Sequence, residues 1–228
     1  MAFMRMDPAT WLDFPALTSL PNFRHRFTLR HPQIDVNEER AVVVDRLWSW
    51  HSEHARHLGF PHGNVQKAEQ VHGVGVTVVD EMSDFCVLPA PETDGFITQV
   101  PGIVLGIYVA DCCAVYLADP VNGAFGVLHS GKKGSEGGIT TQAISLMQNQ
   151  FGTDPANLVV QLSPCIRPPA YEIDFAALIR AQALGAGVQP ENLHDSSLCT
   201  SADPHRFYSY RRERGRTGRM LALMGRIV

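Results

Sequence analysis

The sequence predicts an α+β fold, a single domain with mixed β-sheets flanked by helices. Two observations carry that prediction. Short apolar strands crowd the chain from Lys67 onward, with an Asn-Gly hairpin signal between two of them. Helix-period segments are interspersed without the regular strand–helix alternation of a parallel βαβ fold. The chain has 228 residues, 45% hydrophobic and 18% charged, so it can bury a substantial core.

The elements follow in order. Phe23 to Leu29 alternates as a strand, with Phe23, His25, Phe27 and Leu29 on one face. Asn37 to Leu58 has helical spacing, with Val44, Leu47, Trp48, His51 and Ala55 on its apolar stripe. Asn37 is the expected cap ahead of Glu38 and Glu39, and Gly59 and Pro61 the expected stop. Val74, Val76 and Val78 alternate, Gly95 to Thr98 is a short strand, and Ile103 to Ala110 is apolar on both faces. Ala114 to Leu117 and Ala124 to Leu128 flank the turn that contains Asn122-Gly123. A glycine-rich loop, a helix over about Ile139 to Phe151, a strand at Leu158 to Leu162, a helix from Asp174 to Leu184 and a closing strand from Met220 to Val228 complete the reading.

Bulk properties exclude several classes. A net charge of −4 gives no general pull toward nucleic acid or anionic membrane. Apolar runs such as Ile103 to Ala110 are too short to span a bilayer. Met1 to Leu20 is broken by Asp7, Pro8, Asp13 and Pro15, so no signal-peptide core is expected there. Five cysteines, at 86, 112, 113, 165 and 199, fit reduced thiols in a cytoplasmic protein. The expected partners are small molecules, and the expected assembly is a monomer or homodimer.

Three polar residues interrupt the apolar stretches: His72, Cys112 and His129. Two imidazoles and a thiolate suit a catalytic zinc with one open position. Singly, His72 and Cys112 read more readily as buried structural side chains and His129 equally as either, and their separations of 40 and 17 residues match no local zinc motif. Cys112 and Cys113 are strand neighbours, so they cannot both enter one site. Asp111 is a possible acceptor for one imidazole, or a cap on the strand end. The loop from Gly126 to Lys133 approximates a phosphate loop but lacks its terminal hydroxyl, because Lys133 stands there. A milder expectation is an anion held by amides of Gly134 to Gly138 with Lys132 or Lys133. The arginines from 211 to 219 read as a solvated edge, a weak nucleic-acid contact, or groups folded onto a phosphate or carboxylate.

A series of segments carries a family resemblance: Gln70-Val71-His72-Gly73, Thr93-Asp94-Gly95, Ala110-Asp111-Cys112, His129-Ser130-Gly131, Ser163-Pro164-Cys165-Ile166, Tyr171-Glu172, Cys199-Thr200, Phe207 to Arg212, and Thr217-Gly218-Arg219. In this order, over about residues 65 to 228, they resemble the laccase-domain family, also called the YfiH-type or polyphenol-oxidase family. The resemblance implies one catalytic domain over residues 1–228 with a YfiH-type, cysteine-hydrolase-like fold. It implies purine nucleoside phosphorolysis with adenosine deamination, and a zinc site formed by His72, Cys112 and His129, with Cys112 preferred over Cys113. Zinc at such a set would activate water for attack on purine C6, and phosphorolysis would use a phosphate held by Lys133 or Arg30.

Two departures from the family pattern stand out. Ser130-Gly131-Lys132-Lys133-Gly134 replaces the usual small-Gly-Trp-Arg-Gly, losing an arginine fork and an aromatic surface. The glycine-rich segment usual after the first strand is absent, leaving Arg30 as the match to the arginine before it. The rival expectations are a peptidoglycan-precursor editing hydrolase, including a thiol hydrolase on Cys112 and His129, a copper-dependent polyphenol oxidase, and a degenerate nucleoside-binding protein. Copper is less expected, because ten scattered histidines lack the paired motifs of copper oxidases.

Overall fold

The computed structural model describes residues 10–60 and 64–227. Asp7, Pro8, Pro61 and Val228, to which the sequence reading assigned roles, lie outside the described residues. The architecture is α+β, with two mixed sheets and helices on their outer faces.

The first sheet runs in the order β1 (Trp11–Leu12), β2 (Phe23–Thr28), β11 (Met220–Arg226), β6 (Val104–Val109), β3 (Val65–Lys67). The second runs β10 (Leu193–Asp195), β9 (Val159–Leu162), β7 (Cys113–Ala118), β8 (Phe125–Ser130), β5 (Gly95–Thr98), β4 (Val76–Val78). Among the described residues there are five α-helices, α1 (Pro15–Thr18), α2 (Arg40–His57), α3 (Lys132–Glu136), α4 (Ile139–Phe151) and α5 (Phe175–Gly185).

The period of two in the strands sorts side chains into layers. Ala114, Tyr116 and Ala118 of β7 face a core shared with Leu105, Ile107 and Val109 of β6 and with Phe27 of β2. Their neighbours Cys113, Val115 and Leu117 face α4 and α5 through Ile144, Met147, Phe175 and Ile179. On the other outer face, Val104 and Tyr108 of β6 and Leu221 and Leu223 of β11 pack with Ala55 of α2. Central strands buried on both faces explain the unbroken apolar run from Ile103.

The predicted face of the first strand holds: Phe23, His25, Phe27 and Leu29 are all buried. The hairpin between β7 and β8 also holds. Gly123 takes φ 73°, and Asp119 Oδ1 accepts from the Val121 and Asn122 amides. Asp174 caps α5 by accepting from Ala177 N–H.

The start of α2 differs from expectation. Glu39 occupies the cap without a side-chain bond, Arg40 is the first helical residue, and no acid lies in the first turn. Asn37 is therefore not the cap; its own amide donates to Asp35 Oδ1. Gly59 ends the helix at φ 99°, a conformation that side chains with a Cβ resist.

Candidate metal centre

Four segments converge at one end of the two sheets. The loop Gln70-Val71-His72-Gly73 is held in an unusual backbone shape, with φ of 60° at Gln70 and 63° at His72. Gln70 fixes its near end: its Nε2 donates to Tyr108 O at 2.6 Å, and its Oε1 accepts from Tyr108 N–H at 3.0 Å. Asp94, ahead of β5, fixes the far end. It accepts from His72 N–H at 3.0 Å through Oδ1 and from Gly73 N–H at 2.7 Å through Oδ2. The strain at two non-glycine residues is thus held by buried hydrogen bonds, an arrangement typical of positioned functional groups.

His129 stands near the end of β8 and is 4% exposed. Its Nδ1 bonds Asp94 Oδ1 at 2.7 Å, which leaves Nε2 for the Cys112 thiol. The His72 and His129 rings lie 4.7 Å apart at 76°. Cys112 sits at the lip of β7, half-buried, on the side facing the core between the sheets. The ligand atoms of His72, Cys112 and His129 all lie within 4.8 Å of one another. Among the described residues this is the only group of three or more such side chains close enough to share an ion.

Cys113 points the other way, into the helix-side core, where its thiol contacts Ala114 O and Ser163 O. Strand alternation therefore separates the two cysteines as expected.

Charge reinforces the grouping. Burial alone would push the Cys112 thiol up, but the His129 charge and hydrogen bonds from both imidazoles bring it down to about 6. Burial opposes protonation of His129, yet the Cys112 thiolate and Asp94 hold it up at about 9. Burial would likewise raise the Asp94 carboxyl, while hydrogen bonds from His129, Gly73 and His72 keep it below the usual range. A thiolate, an imidazolium and a carboxylate in a row form a set of groups poised to exchange protons for a cation.

Asp111, one possible imidazole acceptor, does not take that place. Its Oδ1 accepts from Thr200 Oγ1 and its Oδ2 from Arg211 N–H, both at 2.7 Å, which pins the loop at φ 85°. Asp94 does the orienting instead. No role was read for it in sequence, although Thr93-Asp94-Gly95 is among the family segments.

The glycine-rich loop is also different from expectation. Residues 132–136 form α3, and the amides of Ser135, Gly137 and Gly138 are bonded to carbonyls within the turn. Those amides are unavailable to an anion. Gly131 has a tighter role, because a Cβ there would stand 2.5 Å from Cys112 Sγ. With φ −96° the backbone itself tolerates alanine, so Gly131→Ala tests steric crowding of a ligand alone. Gly131→Ala is expected to weaken metal binding by about tenfold or more with little change in urea midpoint, as ligand displacement without loss of fold predicts. Equilibrium competition with a chelator, beside a urea titration, checks both halves.

These side chains floor a cleft of about 860 Å³. Lys133 lines it, with Tyr171, Tyr210 and Phe175 as apolar surface. Arg30 does not. Its guanidinium pairs with Glu213 at 2.6 Å, donates to Phe207 O and lies 4.5 Å over the Tyr208 ring. Its partner is 183 positions away in sequence, beyond the reach of local reading.

The model of the family described as multi-copper polyphenol oxidoreductase laccase matches residues 36–175 and 170–227. The chain belongs to that family. The match begins well upstream of residue 65, where the sequence motifs start. A relative from Geobacillus stearothermophilus, named purine nucleoside phosphorylase YlmD, is 30% identical over 85% of this chain and 82% of its own length. A purine nucleoside phosphorylase from Deinococcus radiodurans is 34% identical over 74% and 72% of the two chains. The crystal structure of YlmD from Geobacillus stearothermophilus superposes with a TM-score of 0.83 at 26% identity, covering 99% of both chains. Bacillus licheniformis YfiH shares the fold, with a TM-score of 0.83 at 22% identity over 97% of this chain and 98% of its own.

Proposed function

We propose that this laccase-family chain is a cytoplasmic, zinc-dependent purine nucleoside enzyme that carries out phosphorolysis and also deaminates adenosine. The observation that supports it most is the convergence of His72, Cys112 and His129 within 4.8 Å on the cleft floor. The relatives' names supply the substrate class. The residues fit a zinc ion by chemistry: two imidazoles and a low-pKa thiolate are its usual donors, and three protein donors leave one position open. Copper oxidases need more histidines in paired motifs than this single group supplies.

When bound, zinc supplies Lewis acidity and a nucleophile usable at neutral pH. The chain's own residues do the remainder. Asp94 holds His129 in one orientation through Nδ1, with Nε2 left on the Cys112 side. Tyr171 and Tyr210 offer ring faces for a purine in place of the aromatic residue missing after Gly131. Lys133 neutralises the attacking phosphate as a point charge. In phosphorolysis a phosphate oxygen bonds ribose C1′ while the C1′–N9 bond breaks, and N9 leaves with the electron pair and takes a proton.

Product analysis tests this reading. Adenosine with phosphate is expected to yield adenine and ribose 1-phosphate, and without phosphate inosine, with both reactions lost in His129→Ala. No product from metal-replete protein, or equal product from His129→Ala, would sink it.

A second reading is favoured by one observation. Without a metal, Cys112, His129 and Asp94 form a thiolate–imidazole–carboxylate row of the kind used by thiol hydrolases. A family role in editing amino-acid-bearing cell-wall precursors would use such a row. Activity that survives complete metal removal and is abolished by alkylation of Cys112 would favour this reading.

A further inference from the structure

The cleft carries far more positive charge than phosphorolysis of a neutral nucleoside requires. Arg40, Lys132, Lys133, Arg211, Arg214 and Arg219 all line it. Against these six cations stand two carboxylates, Glu39 and Asp111, while the Cys112 thiolate and the His129 imidazolium offset each other, in a chain whose net charge is −4. The Asp111 carboxylate is already occupied by Thr200 and the Arg211 amide. Of the six cations, only Arg211 has a carboxylate partner among the described residues, Glu172 at 3.3 Å across an exposed gap.

Two of these cations, Arg40 and Arg219, lack any carboxylate partner among the described residues. Arg40 opens α2, and its guanidinium touches only the Glu69 carbonyl, at 3.5 Å. Arg219 precedes β11, and its Nη1 is fixed to the Thr217 and Gly218 carbonyls at 2.8 Å, leaving Nη2 and Nε free of those bonds. Arg219 is held below its ordinary pKa by burial first, and then by the charge of Arg40. Arg40 is exposed and Arg219 half-buried on the same cleft, and neither has a carboxylate partner among the described residues, so an anion entering there meets two guanidiniums free to donate.

We infer that this cleft is built for a purine substrate carrying its own phosphate, a nucleoside 5′-monophosphate, with Arg40 and Arg219 holding that group. The inference rests on the purine reading proposed above and narrows its substrate class. Charge matching supports it. One phosphate group carries about −1.5 to −2 at neutral pH, so a free phosphate and a nucleotide phosphate together match the cleft's excess of four cations. Lys133 serves the attacking phosphate and the arginine pair the substrate's own. Phosphorolysis then forms a bond from inorganic phosphate to C1′ and breaks C1′–N9. The pair goes to N9, which is protonated, and the products are the free purine and ribose 1,5-bisphosphate.

The test compares adenosine with adenosine 5′-monophosphate on the metal-replete full chain, by calorimetric binding and by turnover. The monophosphate is expected to bind tighter by about tenfold or more at low salt, as a charge-assisted bidentate contact predicts. The preference should shrink as ionic strength rises. Arg40→Gln and, separately, Arg219→Gln should lower the monophosphate-to-nucleoside ratio toward unity, and Arg40→Lys should restore part of it. Equal or better handling of adenosine, with the ratio unmoved by either glutamine variant, would overturn the inference and leave the purine reading intact. Tight monophosphate binding without turnover would support the inference while removing the proposed reactions. Failure of both purines to bind would remove both.

Discussion

Asp94→Ala is expected to be the most damaging single change near the cleft. Asp94 is fully buried and receives His129 Nδ1 together with the His72 and Gly73 amides. Removing it leaves a buried imidazole and two amides without an acceptor, and it frees a loop held at φ 63°. Breaking a buried charged pair from one side costs about 3–5 kcal/mol. Loss of the group that orients a ligand histidine lowers metal affinity by about 10–100-fold. Asp94→Asn should fall between, because its amide keeps one acceptor but turns a donor toward an N–H. Urea midpoints and chelator competition on the three proteins check the order native, Asn, Ala. An Ala variant that binds metal as tightly as the native chain would refute the orienting role.

The second large effect is acid destabilisation through buried histidines of β2 and α2. His25, His51 and His54 are buried, and burial lowers them to about 4, 3 and 2. Geometry agrees for His25, whose Nε2 accepts the Phe14 amide at 2.6 Å, so it must stay neutral in the fold. His54 faces Arg26, Trp11 and Trp50, and His51 faces Trp50 and Tyr108. His31, His57 and Arg26 add positive potential to the same region. The folded pKa values lie below the ordinary 6.5, so the unfolded chain takes up protons first as pH falls. Stability is full above 6.5 and is lost progressively below it, down to the folded values. Between pH 7 and pH 5 each neutral histidine costs about 2 kcal/mol of stability. Urea titrations at the two pH values should show this loss, and His25→Gln should reduce it. A midpoint unchanged from pH 7 to 5 would contradict the burial of these rings.

Much of the framework was legible because it depends on local pattern: apolar runs, turn residues and alternation. The two-sided burial of β6 follows from its continuous apolar run, the hairpin from Asn122-Gly123, and the opposite faces of Cys112 and Cys113 from a period of two. The site was legible only through residue types and the family resemblance, since His72, Cys112 and His129 come from separate segments joined by the sheets. What escaped was tertiary. Asp94 meets His129 across 35 residues and Arg30 meets Glu213 across 183, so no spacing rule reaches either pair. The helix from Lys132 to Glu136 was hidden because its glycines read as a loop. They are admitted by close packing instead, with Gly131 against Cys112 Sγ and Gly134 against the Gly73 carbonyl.

That packing gives the lysine-bearing turn a fixed place beside His72, Cys112 and His129, so the central claim rests on what those three side chains hold. Elemental analysis of the purified chain, beside Cys112→Ser, measures it most directly. Serine keeps the shape but offers no thiolate, so its affinity should fall by more than about 100-fold, beyond the loss expected for outer partners. The account predicts about one zinc per native chain and almost none in the variant, at matching urea midpoints. Native protein that carries no metal after zinc loading, or a variant that keeps a full complement, would contradict it.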